Sequence, residues 1–255
     1  MEELNRYQKG LLLVLLIMVV IFTAVYFVRA PQVGFVYRGA FLEKSTEGEN
    51  TLYSGKVRGR EAVFTVGADK SVTYRHGDKT YGPYTAKKDS SAVPKDDAHA
   101  SLMTGVEIRE GEEVFFRGGV MMAGRGDESF MMIYDENGMF YDGITFSADG
   151  VMYDENGQII DQNMPTVSTI LRMMSEPKLT RRVQWGAWFG GLVVAAMTAL
   201  GILFADALFR FRMSFRVEYV DDLYPSIWEM MSRYISWTVA TFATLYIFIS
   251  GLTIS

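Results

Sequence analysis

Three stretches of this chain carry no charge: residues 10–28, 186–205 and 234–255. They constrain the fold more than any other feature. The first runs for 19 residues dominated by Leu, Val and Ile. At about 1.5 Å per residue it covers about 29 Å, the thickness of a hydrocarbon core. A cleaved signal peptide would have a shorter apolar region and a small-residue exit. Here the exit Val28-Arg29-Ala30 carries an arginine and is followed by Pro31. The stretch therefore reads as an uncleaved signal anchor.

Tryptophan placement supports the same reading for the other two. Trp185, Trp188, Trp228 and Trp237 all lie at or near the ends of these stretches, and residues 30–182 contain none. Tryptophan favours the bilayer interface, where its ring is buried and its N–H stays wet. The alternative is a buried core helix of a soluble protein.

Charge is segregated too. Residues 30–182 hold 18 Lys and Arg against 23 Asp and Glu, and the remainder holds 7 of each. The whole net charge of −5 therefore belongs to one internal segment, long enough for a domain with its own core. The sequence predicts a membrane protein of mixed α and β class. Three transmembrane helices carry a β-rich, mainly antiparallel domain inserted between the first and second.

The expected organisation is a short tail (1–9), a first helix (10–28), the β-rich extracytoplasmic domain (30–164) and an amphipathic helix with membrane-proximal linker (165–182). A second helix (183–205), a cytoplasmic loop (206–233) and a third helix (234–254) follow. Orientation rests on the preference of Lys and Arg for short cytoplasmic loops. Arg6, Lys9, Arg210, Arg212, Arg216 and Arg233 flank one side. Arg29, Arg38, Arg172, Lys178, Arg181 and Arg182 flank the other. The tie is broken by length, because long domains translocate largely regardless of charge. The N-terminus is then cytoplasmic and residues 30–182 extracytoplasmic, in a multi-pass cell-membrane protein.

Turn signals divide the domain into nine or ten short strands. Gly67-Ala68-Asp69-Lys70, His76-Gly77-Asp78, Asn137-Gly138, Asp142-Gly143, Asp149-Gly150 and Asn156-Gly157 separate runs rich in Phe, Tyr, Val, Ile and Thr. Asn-Gly and Asp-Gly tolerate positive φ and close hairpins. Residues 82–102 interrupt the pattern with Pro83 and Pro94, which predicts a surface excursion between halves 33–86 and 102–161. The halves form either one sheet system or two lobes. In the helix begun by Pro165, Val167, Ile170, Leu171 and Met174 share one face. That face meets either the membrane interface or the sheet.

Several motifs fail on their chemistry. Tyr134-Asp135-Glu136-Asn137-Gly138 recurs as Tyr153-Asp154-Glu155-Asn156-Gly157, with Asp142 and Asp161 following at equal distance. An EF-hand needs its glycine at position 6 and a glutamate at 12, so two hairpin tips are the better reading. Arg125-Gly126-Asp127 spells an integrin-type tripeptide but sits in a Gly-rich turn composition. Asp96-Asp97, Glu112-Glu113 and Asp127-Glu128 are neighbours in sequence, and glycosidase chemistry needs facing carboxylates. The absence of cysteine excludes thiolate catalysis, and two histidines leave little for a metal site or a hydrolase triad. The sequence indicates no catalytic residue, cofactor or metal ligand, and its acidic balance argues against nucleic acid.

Two features point to interaction. Phe209, Phe211, Met213, Phe215, Val217 and Tyr219 alternate with polar residues that include Arg210, Arg212 and Arg216. As a strand this has an apolar and a basic face. Three outcomes are open: a helix running on to about Phe211 and then a loop, a segment lying on anionic lipid, or a strand added to another chain. Small residues at Gly186, Gly190, Gly191, Ala195 and Ala199 predict close packing of the second helix on the third, whose own small residues are Ala240, Ala243 and Gly251. Asp206 is expected to pair with Arg210, and Glu229 with Arg233.

The leading expectation is a membrane-anchored, non-catalytic interaction or assembly module. It would contact membrane lipid and a membrane-protein partner or a second copy of itself. An accessory subunit of a transport or export complex is the alternative. A membrane-bound envelope or lipid enzyme is the third.

Overall fold

The structure is a computed structural model that describes residues 4–95, 99–124, 130–141, 145–146, 152–153, 161–215 and 226–252. It divides into two units: residues 1–33 with 181–255, and residues 34–180. The uncharged stretches and the acidic segment thus fall into separate bodies.

The larger unit is one antiparallel meander. Its strands are β1 (Val33–Tyr37), β2 (Ala40–Glu47), β3 (Asn50–Val57), β4 (Arg60–Val66), β5 (Val72–His76), β6 (Lys79–Lys88), β7 (Thr104–Glu110), β8 (Glu113–Ala123) and β9 (Phe130–Asp135). They pair in sequence order. A short pair, β10 (Thr145–Phe146) with β11 (Met152–Tyr153), stands apart, and β12 (Thr180–Arg181) joins the β1 edge. The two halves therefore form one continuous sheet, because β7 pairs directly with β6.

Two-residue turns fix the register. Tyr37 opposes Ala40 and Val57 opposes Arg60, so Arg38-Gly39 and Arg58-Gly59 each close a hairpin with positive φ at both positions. This twist matches that of the strands, and it places arginine where asparagine or aspartate is usual. The alternation then lines one face with aromatics. Tyr53, Phe64, Tyr74 and Tyr81 stand opposite one another across β3 to β6. Phe64 stacks on Tyr74 at 4.2 Å, and Tyr37 meets Phe64 edge-on at 5.1 Å. Bulges at Val72/Tyr74 and Ile108/Arg109 bend the sheet around this core.

The helix α2 (Val167–Met174) closes the core. Thr166 caps it, its hydroxyl accepting the Thr169 N–H at 3.3 Å. Val167, Ile170, Met173 and Met174 are buried with Phe35, Leu42, Ile108, Phe116 and Ile133 in one cluster. Of the two placements open from sequence, the helix takes the sheet.

The excursion between β6 and β7 packs on the sheet's opposite face. Gly105 and Gly119 are register partners and leave a flat strip there. A Cβ at Gly105 would collide with the Asp89 carbonyl, and one at Gly119 would lie 2.7 Å from the Met103 sulfur. Short 3-10 turns at Ser90–Ala92 and Ala100–Leu102 shape the excursion.

The smaller unit is helical: α1 (Arg6–Arg29), α3 (Trp185–Leu203), α4 (Ala205–Ser214) and α5 (Ile227–Ser250). Among the described residues two helices, α1 and α3, are long and apolar enough to cross a membrane. Asn5 caps α1 reciprocally with Gln8, and Ser226 caps α5 by accepting the Glu229 N–H. Asn5 donates to the Tyr234 hydroxyl at 2.8 Å, so α1 and α5 begin at the same end. At the other end the Tyr26 hydroxyl donates to the Phe248 carbonyl at 3.0 Å, and the Trp188 N–H donates to the Thr23 hydroxyl at 3.3 Å. The three long helices therefore alternate in direction.

Candidate functional site

The small-residue stripe is used as a packing seam. On α3 the buried residues are Gly191, Ala195, Thr198 and Ile202; on α5 they are Trp237, Thr241, Thr244 and Phe248. Both sets are spaced four, three and four residues apart, one stripe on each helix. A Cβ at Gly191 would sit 2.7 Å from the Phe248 ring, and one at Gly190 would lie 3.8 Å from Ile247. Ala199 is half-buried. Gly186 meets nothing within 4 Å, so it does not belong to the seam. Thr198, Thr241 and Thr244 return their hydroxyls to carbonyls four residues earlier, which satisfies them inside an apolar bundle.

Of the three outcomes open for the alternating segment, its first half takes the helix, which runs past Phe211 to Ser214. Residues 205–214 are helix α4, so no strand forms over 209–214. The short helix is set off from α3 at Phe204, whose φ of −110° and ψ of 24° depart from helical values. Period-two alternation then distributes the side chains around the helix. Phe209 is buried, while Phe211 and Phe215 are exposed. The Arg233 guanidinium lies 5.1 Å over the Phe209 ring. Arg212 pairs with Glu229 at 2.7 Å, and Asp206 pairs with Arg233 at 3.3 Å. The expected Glu229–Arg233 pair is present at 3.5 Å. Arg210 lies on the same helix, and Arg216 falls outside the described residues. Sequence spacing missed the Asp206–Arg233 and Arg212–Glu229 pairs because they cross between helices.

The domain's strongest electrostatic cluster lies beneath its excursion. Glu107 is buried, with 6% of its surface exposed. It receives Arg109 at 2.7 Å, Lys87 at 3.0 Å and Arg117 at 3.4 Å. Hydrogen bonds from Arg109 and Lys87 hold its carboxyl below the usual glutamate range. Arg117 also reaches Asp89 at 3.0 Å and pairs with Glu136. Asp89 is lowered to about 2, chiefly by hydrogen bonds from the Ser91 hydroxyl and Arg117. These groups are held ionised, which ties the excursion to β7 and β8.

A second carboxylate closes the far side of the core. Asp161 accepts from Lys79 at 2.7 Å, the Tyr81 hydroxyl at 2.9 Å and the Asn163 N–H at 3.0 Å. Those bonds push its carboxyl far below the ordinary value. Burial, with help from Asp161, raises Tyr81 to about 12. Arg38, from the β1–β2 turn, donates to the carbonyls of Gln162 and Met164 at 2.6 and 2.8 Å. Both interactions tether the chain just ahead of α2.

The remaining candidates are structural where they are described. The first copy of the pentapeptide is a turn in which Asp135 accepts the N–H groups of Asn137 and Met139 at 3.0 and 2.7 Å. Its second copy, beyond Tyr153, and Asp142 lie outside the described residues. So do Arg125-Gly126-Asp127, Asp127-Glu128, Asp96-Asp97 and the Asp142-Gly143, Asp149-Gly150 and Asn156-Gly157 turns. Glu112-Glu113 sits at the exposed β7–β8 turn. His76 is buried against the Val57 carbonyl at 3.1 Å. Among the described residues, no group of three or more His, Cys, Asp and Glu side chains is placed to hold a metal.

The sequence reading missed a groove. It is open to solvent and spans about 1390 Å³ between α2, the segment that follows it, β1, the β4–β5 turn and the inner face of β6 to β9. Comparison of the chain with family models, curated proteins and solved structures found no match.

Proposed function

We propose that this chain is a membrane-anchored, non-catalytic interaction module, with α1, α3 and α5 as three transmembrane spans and the sheet domain outside the cytoplasm. The observation that carries the reading is the burial pattern of the helices. Gly191, Ala195, Trp237 and Phe248 face inward, while Leu16, Val20, Phe189, Met197, Val239 and Phe242 face outward and are more than half exposed. In water this would leave a large apolar surface uncovered. In hydrocarbon it carries no such penalty, and packing relies on close small-residue contact.

The alternating helix directions suit three successive crossings. The tail before α1 and the segment around α4 then share the cytoplasmic side. Charges on α5 lie in its first two turns, at Glu229 and Arg233, leaving residues 234–250 for the bilayer. The lowered carboxylates Asp89, Glu107 and Asp161 are engaged by cations and turn amides. That suits a scaffold more than proton transfer.

The interaction role is tested by purifying the full chain in mild detergent after crosslinking in its native membrane. A partner or second copy recovered in fixed stoichiometry, and lost on changing an exposed patch such as Phe211 and Phe215, is expected. Single Asp→Asn or Glu→Gln changes should leave it bound. One amide change that abolishes a measurable reaction without unfolding would overturn the non-catalytic reading.

A further inference from the structure

We propose that the groove on the inner face of β6 to β9 takes an acyl chain of an anionic glycerophospholipid, with the lipid phosphate held by Lys88 and Arg172. The inference rests on the membrane reading above and adds a specific ligand to the domain.

The floor extends the core beyond the reach of α2. Ile108 and Phe116 are buried beneath the helix; two residues along each strand, on the same face, come Val106 and Gly118. Val120, Met122, Met131 and Ile133 continue that face across β8 and β9. Of these, Val106, Val120 and Met131 are half-buried and Met122 is exposed. An apolar floor thus lies open beside a closed core. The volume exceeds the roughly 300–1,000 Å³ of ordinary small-molecule clefts.

Charge decides the kind of occupant. Six basic residues line the groove against two carboxylates, Asp69 and Glu176, although the whole chain carries −5. Lys87 is committed to Glu107 and Arg38 to two carbonyls. Lys88 and Arg172 make no ion pair among the described residues. Lys88 lies opposite Val106 in the ladder, at the floor, and Arg172 stands on α2. Both line the groove, so an anionic head within it has a cation on the floor strand and one on the helix to meet.

The backbone argues for lipid over an extended peptide. Strands β7 and β8 have neighbours on both sides, so their N–H and C=O groups belong to the ladder. A peptide laid over them would find side chains but few main-chain partners for its own amides. An acyl chain needs none, and methionine adapts to a flexible occupant.

The test uses the full chain in phosphatidylcholine–phosphatidylglycerol vesicles containing a trace of diazirine-labelled phosphatidylglycerol or diazirine-labelled phosphatidylcholine. After irradiation, labelled peptides are mapped by mass spectrometry. Labelling of β8 and β9 peptides around Val120, Met122 and Met131 is expected, stronger with the anionic probe. Lys88→Glu and Arg172→Glu should each lower it about fivefold, and Met122→Glu, at an exposed position, should suppress it. Labelling of α1 and α3 should be unchanged in all three variants. Helix labelling without groove labelling overturns this inference and leaves the membrane reading standing. Groove labelling equal for both probes and insensitive to Lys88→Glu and Arg172→Glu overturns the headgroup assignment. Labelling of neither overturns both.

Discussion

The hydroxyls of Tyr37, Tyr74 and Tyr84 are buried in the aromatic core with no hydrogen-bond partner among the described residues, whereas that of Tyr81 is held by Asp161. A buried unpaired hydroxyl costs about 1–3 kcal/mol, and a bond to a charged acceptor contributes about 1.5–3 kcal/mol. Tyr74→Phe should therefore leave the domain as stable or more stable, and Tyr81→Phe should destabilise it by about 1.5 kcal/mol. Tyrosine near-ultraviolet dichroism during denaturant unfolding reads both, since the domain lacks tryptophan. Acid should act through Asp89, Glu107 and Asp161. Their folded values lie below the unfolded ones, so their contribution is complete above the ordinary carboxylate range and lost as pH falls through the folded values. The domain's melting temperature should drop steadily from about pH 4.5 towards pH 2. A flat profile would show that these pairs do not couple to folding. None of these roles was legible in the sequence, because Asp161 meets Lys79 and Tyr81 from some 80 positions away.

At the scale of elements, strands and their turns were legible and helical context was not. Gly67 to Lys70 and Gly77-Asp78 separate the strands where the turn chemistry indicates. Arg38-Gly39 and Arg58-Gly59 do the same job with a residue seldom favoured at positive φ. Of the outcomes that the alternation over 209–219 left open, the helix forms, as α4 through Ser214. A lone strand leaves its backbone unpaired, and a helix satisfies it internally. Burial of Phe209 against the Arg233 guanidinium favours the same outcome. On the seam, Gly191→Leu should drive a side chain into the Phe248 ring and cost about 1–3 kcal/mol. Tryptophan fluorescence reads the helical unit alone, because all four tryptophans lie within it. Gly186→Leu, at a position with open space around it, should have little effect. Gly105→Ala should release the excursion from β7, read as faster amide exchange at Ser90–Ala92.

For the whole molecule, the acidic segment 30–182 nearly coincides with the unit 34–180. The groove escaped notice because its floor runs from Lys88 to Met131, 43 positions apart, and its cations come from a strand and a helix. The natural absence of cysteine makes the central claim directly measurable. Single cysteines at Glu49 in the β2–β3 turn, Ser214 at the end of α4 and Val239 within α5 can be challenged with a membrane-impermeant maleimide, which needs a water-exposed thiolate. The account predicts that intact cells label at residue 49 alone. Permeabilised cells should add residue 214, and residue 239 should react only after denaturation. Rapid labelling at 239 in the native protein, or reaction of 49 and 214 from the same side, would contradict it.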